Sequence, residues 1–126
     1  METIYTKNAP EPVGAYSQAA KAGELLFVSG QLGIDPSSGE LEKGLESQSK
    51  RVFQNIEAIL TEAKLSKKDV VKVSIYLANI EDFAKVNENY REFFGEHKPA
   101  RATLGGLSLP LNGLIEIEVV AGYNLS

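Results

Sequence analysis

A chain of 126 residues is the length of one domain, and a hydrophobic fraction of 43%, with five Phe and five Tyr, suffices for a packed core. Thirteen basic against 17 acidic side chains give a net charge of −4, which argues against the basic face of a dedicated nucleic-acid binder. The absence of cysteine removes disulfides, thiolate catalysis and cysteine-ligated metals, and fits a reducing compartment.

Met1-Glu2-Thr3-Ile4-Tyr5 lacks the basic-then-apolar pattern of a secretory signal, and Leu25-Leu26-Phe27-Val28 is too short to cross a bilayer. A soluble, cytoplasmic protein without membrane association is therefore expected. Asn8 to Gly14 holds two prolines and reads as an irregular lead-in. Ala15 to Ala20 and Glu24 to Ser29 read as strands joined by a turn at Lys21-Ala22-Gly23. Asp35-Pro36-Ser37-Ser38-Gly39 is a turn signal, and a loop follows to about Leu45.

Glu46 to Ala63 has helical spacing, with Val52, Ile56, Ile59, Leu60 and Ala63 on one stripe. Val70 to Ala78 reads as a strand whose Val71, Val73, Ile75 and Leu77 form the core face. Asn79 is placed to cap a second helix, with Glu81 and Asp82 in its first turn. That helix buries Phe83, Val86, Tyr90, Phe93 and Phe94, and Gly95 ends it. Strands near Arg101 to Ser108 and Leu114 to Tyr123 close the domain. The order is ββ-α-β-α-ββ, an α+β layer of two helices on one sheet covering residues 1–126 as a single domain. In the last strand Ile115, Ile117, Val119 and Ala121 face the helices. The opposite face mixes apolar groups with Glu116 and Glu118. Such a face suits either solvent or contacts with other subunits.

The chemistry concentrates in the last quarter. Arg101 opens a strand, and its guanidinium can fork onto a small carboxylate. Glu116, on the strand expected to face it across a turn, can handle a water or a proton. The pair points to a small anionic substrate and hydrolysis without a cofactor. A surface ion pair of Arg101 with Glu116 or Glu118 accounts for the same residues. The apolar setting of Glu116 and Glu118 favours partial burial and a shifted pKa. Tyr16 offers a phenol to a carboxylate, or is a core tyrosine with a wet tip. Gly30 lets a ligand approach the backbone closely, or simply ends a strand. Ser29 lacks a nucleophile-elbow pattern, so covalent catalysis is not expected. Asn87 lies mid-helix, where its amide could reach a ligand or serve structure alone. His97 is expected in a solvent-facing loop. With one His and no Cys, no zinc site is expected, and no P-loop or G-x-G-x-x-G occurs.

Six stretches in order carry a resemblance. They are Asn8-Ala9-Pro10, Val13-Gly14-Ala15-Tyr16-Ser17-Gln18, Val28-Ser29-Gly30-Gln31, Phe83-Ala84-Lys85-Val86-Asn87, Pro99-Ala100-Arg101 and Ile115-Glu116-Ile117-Glu118. Together they resemble the RidA/YjgF family, imine deaminases also known as L-PSP endoribonucleases and translation inhibitors. The resemblance spans essentially the whole chain. It implies a chorismate-mutase-like α+β fold and a homotrimer with clefts between subunits. It also implies hydrolysis of 2-aminoacrylate/2-iminopropanoate and 2-iminobutanoate to 2-oxo acids and ammonia, without metal or cofactor.

In that resemblance Arg101 would bind the substrate carboxylate and Glu116 would position and activate water. Tyr16 would hydrogen-bond the ligand, Ser29 and the Gly30 backbone would form a wall, and Asn87 would support the pocket. Ala102-Thr103 stands where many members carry Ser-Cys. Thr103 keeps the backbone groups, so activity is expected to survive. Gly105-Gly106 replaces a Val-Glu-Val-type continuation. Two other classes compete. One is a non-catalytic sensor of 2-oxo acids that uses the same Arg101 pocket. The other is an RNA-cleaving protein, against which the acidic charge and the lack of a basic, aromatic stripe argue.

Overall fold

In a computed structural model, which describes residues 1–125, the elements run β1 (Glu2–Ile4), β2 (Ala19–Ala22), β3 (Leu25–Leu32), α1 (Leu45–Glu62), β4 (Val70–Leu77), α2 (Phe83–Phe94), β5 (Ala100–Leu104) and β6 (Ile115–Gly122). This is the predicted order ββ-α-β-α-ββ with a short edge strand added in front. The strands form one mixed sheet in the order β1-β2-β3-β6-β4-β5. Every neighbouring pair is antiparallel except β4–β5. That pair is parallel because α2 is the crossover that returns the chain to the same end of the sheet.

Both helices lie on one face of the sheet. Val52, Ile56, Ile59 and Leu60 of α1 recur at helical spacing and are fully buried. They meet Val73, Ile75 and Leu77 of β4 and Ile115, Ile117, Val119 and Ala121 of β6 in one core. Fully burying an aliphatic side chain of this kind contributes about 1.5–3 kcal/mol. An aromatic group closes the helix–helix seam, with Phe53 stacked on Phe93 at 4.9 Å and Tyr90 against Phe94 at 4.7 Å. Gly95, at φ 61° and ψ −124°, ends α2 in a positive-φ conformation that favours glycine.

Several local expectations are corrected. The first hairpin sits later than predicted. Residues 15–18 are irregular, Lys21 and Ala22 belong to β2, and the two-residue turn is Gly23-Glu24. Gly23, at φ 60°, takes the first turn position, which type II′ turns reserve for glycine. In β4 a bulge between Val70 and Lys72 reverses the alternation, so Val70 is buried and Val71 is 38% exposed. Asn79 makes no side-chain cap; a short 3₁₀ turn, Ile80–Asp82, leads into α2 instead. The strand after Arg101 stops at Leu104. Gly105 packs so tightly that a Cβ would lie 2.5 Å from Ile80, and Gly106 turns at φ 74°. His97 is half-buried rather than solvent-facing, with Nε2 2.7 Å from the Val70 carbonyl oxygen.

The largest correction concerns the last two strands. They do not form a hairpin, because β6 enters the sheet between β3 and β4 and leaves β4 between itself and β5. The far face of the sheet carries no helix. Leu25, Phe27 and Leu104 lie 40–55% exposed there, among Lys72, Ser74, Tyr76, Glu116 and Glu118. No helix among the described residues is long and apolar enough to cross a membrane.

Candidate functional site

The sequence-predicted residues gather into two separate clusters. The first is built on β3, β6 and the irregular segment before β2. Tyr16, Gly30 and Glu116 line one small cleft of about 60 Å³ with Glu11, Val13 and Pro110. A register shift in β3 between Val28 and Gln31 brings the Gly30 backbone against the Glu116 side chain. A Cβ on Gly30 would stand 2.7 Å from Glu116 Oε2, so the carboxylate occupies space that only glycine leaves free. The backbone N–H of Val13 donates to Tyr16 Oη at 3.3 Å, leaving the phenolic proton for another acceptor.

The rim of this cleft is held by Gln18, a residue to which sequence reading gave no role. Its buried amide Nε2 donates to the carbonyls of Thr6 and Pro10 at 3.0 Å and of Ala9 at 3.3 Å. Its Oε1 accepts from the Thr6 N–H at 2.7 Å. Tyr5 donates its hydroxyl proton to Glu11 Oε1 on the same rim. Ser29 is turned to structure, its hydroxyl donating to the Ser17 carbonyl at 2.6 Å.

Burial pushes the Glu116 carboxyl above its ordinary pKa, and the neighbouring Glu118 charge adds to the rise. Glu118 has its own partner, accepting a hydrogen bond from Tyr76 Oη at 2.7 Å. That bond, with burial behind it, pushes the Tyr76 phenol up.

The second cluster is built on α2 and β5. Phe83, Asn87 and Tyr90 recur at i, i+4 and i+7, which places them on one face of α2. The Arg101 guanidinium lies 4.7 Å from the Tyr90 ring and 5.2 Å from that of Phe83. Its Nη1 donates to Asn87 Oδ1 at 2.7 Å. Two aromatic faces and one amide thus fix the plane of the fork and leave its other N–H groups free. Phe83 and Tyr90 read in sequence only as core residues; their shared spacing with Asn87 was the signal that they frame a polar position. Thr103 stands beside Arg101 in a cleft of about 420 Å³ with Ile80 and Phe83, and its buried Oγ1 has no hydrogen-bond partner. Among the described residues Arg101 has no carboxylate within salt-bridge distance, so the expected surface pair with Glu116 or Glu118 is absent.

The two clusters lie apart. Arg101 pairs with Val73, which faces the helices, while Glu116 pairs with Tyr76 on the uncovered face. Paired residues share a face, so Arg101 and Glu116 point to opposite sides of the sheet. Two strand spacings and three residues of rise put their Cα atoms about 14 Å apart. Among the described residues no group of three or more His, Asp or Glu side chains is placed to hold a metal ion.

Residues 6–123 match the family model described as endoribonuclease L-PSP. The chain is 54% identical over 121 residues to a RutC family protein of Pyrococcus abyssi, covering 95% of both. It is 42% identical over 121 residues to Reactive Intermediate Deaminase A, chloroplastic, of Arabidopsis thaliana, covering 95% of this chain and 65% of that one. Among solved structures, RidA from the Antarctic bacterium Psychrobacter sp. PAMC 21119 superposes with a TM-score of 0.94 at 43% identity. The match covers 97% of this chain and 99% of that one.

Proposed function

The chain belongs to the endoribonuclease L-PSP family, which includes RutC and RidA proteins and reactive intermediate deaminases, and on that premise we propose that it hydrolyses small carboxylate-bearing imines. The substrates are 2-iminopropanoate, with its enamine tautomer 2-aminoacrylate, and 2-iminobutanoate. The products are the 2-oxo acid and ammonia. The observation that carries this reading is Arg101, a guanidinium fixed by Phe83, Tyr90 and Asn87 with free N–H groups and no internal carboxylate. It is built to receive a carboxylate from outside.

In this reading the working site forms between subunits of a homotrimer. Arg101, Asn87 and Thr103 come from one chain; Tyr16, Gly30 and Glu116 come from its neighbour. The uncovered sheet face, which carries Glu116 and leaves Phe27 and Leu104 exposed, supports packing of that kind.

Arg101 binds the substrate carboxylate through two hydrogen bonds and so fixes the imine carbon. That carbon is already electrophilic when the nitrogen is protonated. Glu116 takes a proton from water as the oxygen attacks, and a tetrahedral carbinolamine forms. The proton passes to nitrogen, the C–N bond breaks, and ammonia leaves as the carbonyl forms. The high proton affinity of Glu116 suits a base for this step, and positioned base help is typically worth ~10²–10⁴-fold.

The test generates 2-iminobutanoate in situ from 2-aminobutyrate with an amino-acid oxidase and traps the imine with semicarbazide. Wild type should divert the imine to 2-oxobutanoate, and Arg101→Ala should not. Binding of 2-oxobutanoate without accelerated ammonia release would replace the enzyme with a 2-oxo-acid sensor.

A further inference from the structure

Arg101 also lines a second cleft, of about 390 Å³, whose Arg91 and Lys98 the reaction above does not use. Arg91 from the last turn of α2, Lys98 from the following loop and Arg101 from β5 all line it, and no carboxylate does. Among the described residues none of these three cations has an acidic partner within salt-bridge distance. A chain of net charge −4 thus concentrates three unpaired positive side chains on one concavity. Such focusing raises the local concentration of multiply charged anions well above that of singly charged ones. Phe94 and Pro99 supply apolar wall between the charges, which suits a short hydrocarbon chain separating two acid groups.

Arg101 and Asn87 stand on the shared wall, so a ligand held by the guanidinium can extend its other end toward Arg91 and Lys98. Resting on the carboxylate-binding reading of Arg101, we propose that this cleft is a second anion subsite. Arg101 takes the 2-imino or 2-oxo acid end of a ligand, and Arg91 and Lys98 take a second carboxylate. The preferred ligands are therefore dicarboxylic. The hydrolysis keeps its balance, because the distal carboxylate does not react: water adds at the imine carbon and ammonia leaves, as for the monocarboxylic imine.

The test is calorimetric titration of the assembled wild-type protein with 2-oxobutanoate, a monoanion, and 2-oxoglutarate, a dianion. Wild type should bind the dianion about tenfold more tightly (~1.4 kcal/mol). Added salt should shrink that ratio, since both cations are solvent-exposed. In Arg91→Gln/Lys98→Gln the ratio should fall to about one, in Arg91→Glu/Lys98→Glu it should invert, and in Arg91→Lys it should persist. Thermal melting of each variant checks that the fold is kept. Equal binding of the two acids by wild type, or a preference that survives in the double Gln variant, overturns the subsite and leaves Arg101 as a carboxylate site. Failure of wild type to bind either acid overturns the subsite together with the Arg101 reading on which it rests.

Discussion

Gly30→Ala isolates the placement of one carboxylate from the stability of the fold. The added Cβ would lie 2.7 Å from Glu116 Oε2 and 3.0 Å from its Cδ, against an ordinary contact of at least 3.4 Å. The carboxylate must therefore retreat by about 0.7 Å or rotate away. It can do so, being the end of a flexible side chain, and the φ of Gly30 is not in the left-handed region. The fold should therefore tolerate alanine, with a stability change under about 1 kcal/mol. The reaction should not: displacing a reacting group by about 1 Å costs on the order of 10²-fold in rate. Semicarbazide competition would measure kcat/KM, and thermal melting would measure stability. A variant within threefold of wild type would refute the claim that Gly30 exists to seat Glu116. An equal loss of activity and Tm would show instead that the glycine serves the strand.

Other outcomes follow from the same geometry. Arg101→Lys keeps the charge but loses the planar fork and its stacking on Phe83 and Tyr90; kcat/KM should fall about 10–100-fold with Tm unchanged. Asn87→Ala frees Nη1, and 2-oxobutanoate binding by calorimetry should weaken about fivefold. Glu116 must be ionised to accept a proton, and its raised pKa places the acid limb of kcat/KM above the range of an ordinary carboxylate. Glu118→Gln removes the repelling charge, can still accept from Tyr76, and should move that limb to lower pH. Because the folded pKa of Glu116 is raised, its favourable contribution to stability exists at low pH and is lost as pH rises through that pKa. Glu116→Gln should accordingly be neutral or stabilising at neutral pH in a melting experiment. Gln18→Ala leaves the buried Thr6 N–H without its acceptor and should lower stability in urea by about 1–3 kcal/mol.

The periodicities legible in the sequence were those set by burial. The stripe Val52, Ile56, Ile59 and Leu60 and the alternation Ile115, Ile117, Val119 and Ala121 appear in the core as read. What failed depended on partners distant in the chain. The bulge that buries Val70 in place of Val71 is fixed by pairing with β6, not by local propensity. The insertion of β6 between β3 and β4 is a topological choice that adjacency in sequence conceals, and it separates Arg101 from Glu116. The residues proposed for the site stand out in the sequence because they break local rules. Arg101 and Glu116 are charges in apolar strands, and Asn87 is an amide inside an aromatic stripe. The role of Gln18 was not legible, since its four hydrogen bonds reach a loop eight to twelve residues away.

Mixing two inactive chains tests most directly whether opposite faces of two sheets make one site. Arg101→Ala and Glu116→Gln chains, carrying different tags, would be co-expressed and the mixed assemblies purified on both tags. If each site takes its arginine from one subunit and its glutamate from the next, every trimer that carries both tags regains one of its three sites, about a third. Imine hydrolysis should then return to roughly that fraction of wild type, although each variant alone is inactive. Mixed assemblies as inactive as either parent would contradict the account, because both residues would then have to act within one chain.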